Sequence, residues 1–117
     1  MITLRETREL IDDEPDNWAL HLMNFVDDFR RNRDLRALEE AFEVRGNRME
    51  ALLASTAESL CDEIELDAPE WLSRVPAAAQ PYFVSGLENL KAISLVESPL
   101  RFRLRKVFVL ENFLTRV

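Results

Sequence analysis

A chain of 117 residues with 47% apolar and 32% charged residues and a net charge of −7 has the composition of one small globular domain, not of a disordered or fibrous chain. Two glycines and five prolines are too few for a loop-rich β-sandwich. One cysteine excludes an internal disulfide framework and any Cys-based zinc site, and one histidine excludes His-pair metal motifs.

The first predicted helix covers residues 2–13, with Leu4, Leu10 and Ile11 facing the core. Asp13-Glu14-Pro15-Asp16 breaks it, and Asp16 is the expected N-cap of the next segment. Residues 17–31 give the strongest helical signal. Trp18, Leu22, Phe25 and Phe29 follow i, i+4, i+7, i+11 and share one stripe, which Val26 widens. Asn32 or Asp34 caps a predicted third helix with Leu35, Leu38, Ala41 and Phe42 inward and an Arg36–Glu40 pair outside. Gly46 sits where that helix would end. Asn47 and Glu50 then have capping-box spacing for a fourth helix reaching about Ile64, with Met49, Leu52, Leu53, Leu60 and Ile64 inward.

Pro69 opens a short helix at Glu70-Trp71, which Pro76 ends. Pro81 opens another predicted helix, through Val96. Its Phe83, Val84, Leu87, Leu90, Ile93, Leu95 and Val96 lie nearly all round the axis, the pattern of a buried helix. Ser98-Pro99 starts a last segment that reads two ways. Arg101-Phe102-Arg103-Leu104-Arg105 alternates as a strand does, while Leu100, Leu104, Val107 and Leu114 fit one helical face. With no clear strand elsewhere to pair with, helix is the preferred reading of residues 99–110. The sum is an all-α single domain over residues 1–117, an irregular bundle of five to six helices.

The opening Met1-Ile2-Thr3-Leu4-Arg5-Glu6 lacks the apolar core of a signal peptide. The longest uncharged stretch, Val75 to Leu87, is interrupted by Pro76 and Pro81 and falls short of the ~20 residues that span a bilayer. The expected location is the cytoplasm, with no membrane partner. Thirteen of the fifteen basic residues are Arg, a usage typical of GC-rich bacterial genomes.

Charge is unevenly distributed. Residues 1–70 hold 19 acids and 8 bases, a balance of −11, and residues 71–117 hold 3 acids and 7 bases, a balance of +4. One reading is attraction between the last and first elements within the fold. The other is a bipolar surface, acidic for a basic partner or basic for an anionic one. Glu58, Asp62, Glu63, Glu65 and Asp67 form the candidate acidic partner-binding face, with Glu70 following. Arg101, Arg103, Arg105 and Lys106, with Phe102 and Phe113, form the candidate interface or nucleic-acid contact, since arginines meet phosphates and aromatics stack on bases. The net charge of −7 weighs against nucleic acid.

No motif supplies His21 with a nucleophile or an orienting acid, no Cys-x-x-Cys accompanies Cys61, and no Asp-x-Asp-x-Asp-Gly loop or glycine-rich phosphate loop occurs. No catalytic residue, metal ligand or cofactor is therefore assigned, and the chain is read as not an enzyme. The apolar surplus of the C-terminal third, Tyr82, Phe83, Val109 and Phe113 among it, is more than a small single-layer bundle readily buries and reads either as a well-filled core or as an interface, with itself or with another protein.

Residues 69–117 also carry a resemblance. Trp71-Leu72-Ser73-Arg74-Val75-Pro76, Pro81-Tyr82-Phe83-Val84-Ser85-Gly86-Leu87-Glu88-Asn89-Leu90-Lys91, Glu97-Ser98-Pro99 and Asn112-Phe113-Leu114-Thr115-Arg116 resemble small bacterial proteins encoded beside nucleotidyltransferase-like partners, as in some toxin–antitoxin pairs. The resemblance defines no catalytic motif. It implies an antitoxin-like protein or accessory subunit that binds and regulates a partner. The alternative expectation is a DNA-binding transcriptional regulator using the C-terminal basic segment.

Overall fold

The structure is a computed structural model that describes residues 1–115. Helices α1 (Leu4–Asp13), α2 (Trp18–Asn32) and α3 (Arg48–Glu63) build the N-terminal part. Then come α4 (Glu70–Ser73), β1 (Tyr82–Phe83), α5 (Lys91–Glu97), α6 (Leu100–Leu104) and β2 (Val107–Phe108), with 3-10 turns at Pro15–Asn17, Leu35–Leu38 and Glu88–Leu90. The architecture is a mostly α irregular bundle with one two-stranded parallel pair. Its radius of gyration of 13.2 Å is that of a single packed globule of this length, for which ~13 Å is expected.

α3 is the axis of the fold. Ala51 to Glu58, Leu60 and Cys61 are all buried, so this helix is covered on nearly every side. Its small residues Ala51, Ala54, Ser55 and Ala57 let α1, α2 and α6 approach closely, and two buried hydroxyls are satisfied on the way. Ser55 donates to the Arg101 carbonyl at 3.2 Å and Thr56 to the Leu52 carbonyl at 2.8 Å. The start of α3 is built as its sequence predicts. The Asn47 side chain accepts the Glu50 N–H at 2.9 Å, and the Glu50 carboxylate reaches back to the Asn47 N–H.

The same carboxylate does more than cap. It accepts the N–H of Arg45 and of Gly46, each at 2.9 Å, and a guanidinium N–H of Arg8 at 2.8 Å. Gly46 at φ +79° supplies the left-handed turn that points these consecutive N–H groups at one acceptor. Arg8 explains a difference from expectation in α1. The buried stripe runs Leu4, Thr7, Arg8, Ile11, and Leu10 is 42% exposed. An Arg takes a core position here because Glu50 neutralises it and the Phe42 ring lies under its guanidinium at 5.6 Å.

In α2 the stripe is as predicted, with Leu22, Phe25, Val26 and Phe29 buried and Trp18 partly covered. Each fully buried side chain of this kind is worth ~1.5–3 kcal/mol. Asp16 does not cap the helix: it lies within the 3-10 turn, and the residue before α2 is Asn17. The predicted third helix reduces to the 3-10 turn Leu35–Leu38, capped by Asp34, whose side chain accepts the Arg36 N–H at 2.9 Å. Arg36 pairs with Asp34 rather than Glu40, and Glu40 pairs with Arg5 of α1. Leu38 and Phe42 are buried as expected, while Ala41 is exposed. Phe42 meets Trp71 edge-on at 5.1 Å, and the Trp71 indole N–H donates to the Leu38 carbonyl at 2.7 Å, which ties this irregular stretch to α4.

The predicted helix from Pro81 to Val96 is not formed as one piece. Tyr82 and Phe83 are a strand, Gly86 turns the chain at φ +69°, and only Lys91–Glu97 is α-helical. The strand's partner is Val107–Phe108, in parallel register Tyr82 to Val107 and Phe83 to Phe108. Residues 99–110 are thus helix first and strand afterwards. Lys106, at φ +59°, makes the break between them. Phe83 stacks on Phe108 at 5.1 Å, and the Arg48 guanidinium sits 4.4 Å over the Tyr82 ring, so the strand pair is held from both faces. No helix among the described residues is long and apolar enough to cross a membrane.

Candidate interaction surface

The two charged sets read from the sequence meet each other. α6 lies along α3, and the basic residues of one face the acidic residues of the other. The Arg101 guanidinium grips Asp62 through two hydrogen bonds, at 2.9 and 3.1 Å. Arg105 pairs with Glu58, both inside the protein. Its remaining donors go to the Val75 carbonyl at 3.1 Å and to the Leu72 carbonyl at 2.6 Å, which also accepts the Val75 N–H, at the C-terminal end of α4. Glu63 accepts two bonds from Arg30 of α2, at 2.7 and 3.1 Å. The carboxylates opposite them raise the guanidinium pKa values of Arg30 and Arg101 above the ordinary arginine value.

This arrangement changes what each candidate residue can do. Glu58, Phe102 and Arg105 are buried and do not form part of any outer contact surface, because the seam needs them inside. Phe102 meets Phe113 edge-on at 6.1 Å, and Phe113 is half covered. Asp62 and Glu63 are exposed but ion-paired. Glu65 and Asp67 remain solvent-facing with no ion pair among the described residues, as do Arg103 and Lys106.

The least expected surface is α5. At ~100° per residue, Leu95, Ala92, Val96 and Ile93 form one continuous arc of about 160°. Every residue of that arc faces solvent. The single buried position of α5 is Ser94. Ser98, one turn later, is buried as well and holds the helix to β2: its hydroxyl lies 2.5 Å from the Ser94 carbonyl and 3.0 Å from the Val109 carbonyl, and accepts the Val109 N–H at 2.8 Å. The helix is inverted, polar side in and apolar side out. Leu87, Leu100 and Leu104 extend the exposed apolar set on either side in the chain. These residues read as core from their abundance. The signal that separates them is the Ser94/Ser98 pair at i, i+4, the only uncharged polar positions between residues 90 and 99.

Two further singletons are accounted for. His21 meets Glu14 at 3.0 Å, near the start of α2. Cys61 is buried in α3, and desolvation, reinforced by Asp62 and Glu58, pushes its thiol up to about 11 from 9.0. A thiolate is the reactive species, so alkylation of the native chain by iodoacetamide at pH 8 is expected to be at least ~100-fold slower than of the urea-unfolded chain. Equal rates, read by mass spectrometry, would place Cys61 on the surface. Among the described residues no group of His, Cys, Asp and Glu could hold a metal ion. No protein-family model matches the chain, and no curated protein or solved structure matches it.

Proposed function

We propose that this chain is a non-catalytic protein-interaction module whose contact surface is the outward face of α5 with the neighbouring leucines of α6. One observation carries the reading. A seven-residue helix cannot hold itself together in water, and the buried position of this one is a serine, tied to the body with Ser98, while its apolar arc faces solvent. Six large apolar side chains between residues 87 and 104 are 46–80% exposed. At ~150 Å² each, that is about 500 Å² of exposed apolar surface, about half of it from Ile93, Leu95 and Val96 of α5. The antitoxin-like or accessory-subunit form of this reading draws on the resemblance of residues 69–117, which contain the whole surface. Glu65 and Asp67 are the acids left for a basic partner protein.

The test returns a tagged chain to its native host and recovers it in moderate salt. The expected result is a stoichiometric protein, an untagged copy included, that is lost when Val96 is changed to Asp. Recovery of nucleic acid that salt strips away would instead favour a regulator acting through Arg103 and Lys106.

A further inference from the structure

We propose that residues 86–97 form a strap that opens as a unit while the rest of the chain stays folded, and that Ser98 is its latch. This goes beyond the interaction reading and does not depend on it. The evidence is how little of the strap is built into the body. Between Ser85 and Glu97 only Ser94 is buried. Among the described residues, one hydrogen bond joins residues 87–97 directly to the body: the Glu97 carboxylate accepts the Glu111 N–H at 3.1 Å. Lys91 adds a contact over the Phe83 ring at 5.2 Å. Leu90 and Ile93 border a groove of about 590 Å³, shared with Leu110, Asn112 and Thr115, where a packed helix would meet core side chains. Segments with so few buried apolar contacts open at a lower free energy than the whole fold.

The main tie is Ser98, which is 2% exposed. On the strap side its hydroxyl lies 2.5 Å from the Ser94 carbonyl. On the body side it accepts the Val109 N–H at 2.8 Å and lies 3.0 Å from the Val109 carbonyl. Val109 belongs to the core, buried like Val107. The Lys106 and Phe108 carbonyls accept the N–H groups of Tyr82 and Val84 at 2.8 and 3.1 Å, so by alternation Val109 turns its N–H and C=O away from β1. One hydroxyl therefore stands where a further strand would pair, and its release bares a donor and an acceptor on the outer edge of β2. The two ends of the strap suit such a motion. Gly86, at φ +69°, bends the chain in open space, with nothing within 4 Å of an added Cβ. Beyond Ser98 and Pro99, α6 is pinned to α3 by the Arg101–Asp62 and Arg105–Glu58 pairs and does not follow.

Hydrogen exchange of the full chain, read residue by residue by NMR at urea concentrations below the unfolding transition, tests this. The N–H groups of Leu95, Val96, Glu97 and Ser98 are expected to be protected, yet at least ~100-fold less than those of Leu52 to Ala57 in α3. Their protection should fall only shallowly with urea, because opening the strap exposes little surface, while that of α3 falls steeply. The Val109 N–H should share the protection of the strap and not that of Tyr82 and Val84, because its acceptor is the Ser98 hydroxyl. Ser98→Ala should speed exchange in the strap about tenfold. A strap as protected as α3, with the same urea slope, opens only with the whole fold and overturns the proposal. Strap N–H groups without protection leave nothing to latch and overturn it as well. Val109 protected like Tyr82 and Val84, or strap rates indifferent to Ser98→Ala, overturns Ser98 as the latch.

Discussion

Replacing Arg105 with Ala is expected to lower the unfolding free energy by about 3–5 kcal/mol, the cost of leaving a buried charge without its partner. Glu58 is covered in the structure and has Arg105 as its close counterion, with Arg101 only at 3.9 Å. The same substitution leaves the Val75 carbonyl without its donor and the Leu72 carbonyl with only the Val75 N–H, so the turn after α4 loses its tie to α6. Arg105→Lys should recover little, because a single ammonium cannot reach three acceptors set for a planar fork. Arg105→Met combined with Glu58→Met should recover most of the loss, since removing both charges removes the desolvation problem. Urea unfolding followed by circular dichroism measures all three. A loss below ~1 kcal/mol for Arg105→Ala would mean that Glu58 is solvated and the seam is a surface feature.

Glu50→Ala should be comparably damaging, by about 3–5 kcal/mol. It leaves the buried Arg8 guanidinium without its buried counterion and with only the partly exposed Asp12 carboxylate, at 3.5 Å. It also frees the N–H groups of Arg45 and Gly46 and removes half of the capping box of α3. Glu50→Gln keeps the shape and an acceptor for the loop but not the charge, and is expected to lose about half as much. Pairing Glu50→Gln with Arg8→Met separates the ion pair from the cap: the double variant should be more stable than the sum of the singles by at least ~1 kcal/mol. Additive losses in urea titrations would show the two groups to be uncoupled.

Each effect turns on a buried ion pair between residues more than forty positions apart, which no local pattern specifies. The charge imbalance between the two halves was visible, and so was the idea that the halves attract. Which acid met which base was not, because a guanidinium can pair with any carboxylate the fold brings within reach. Glu58 and Asp62 read as a surface for a partner, and they are instead opposite Arg105 and Arg101. A residue's type announces charge; only its neighbours decide whether that charge is offered outward.

Local chemistry was the legible part. The Trp18-to-Phe29 stripe, the Asn47–Glu50 box, the helix through α3 and the short helix after Pro69 rest on interactions within four or five residues, whereas Gly46, expected to end a third helix, is left-handed with no helix ending there. By itself the sequence determined these, along with a mostly α fold. Tertiary structure alone decided the rest. Tyr82–Phe83 is a strand because Val107–Phe108 lies beside it, and neither has enough local preference to be one unaided. Arg8 is core because Glu50 waits there. The apolar run from Leu87 to Val96 reads as the inside of the protein, since hydrophobicity says that a residue avoids water but not which surface will cover it. Here α3 fills the core with alanines and leucines, and the leucines, isoleucine and valine around α5 are left facing outward.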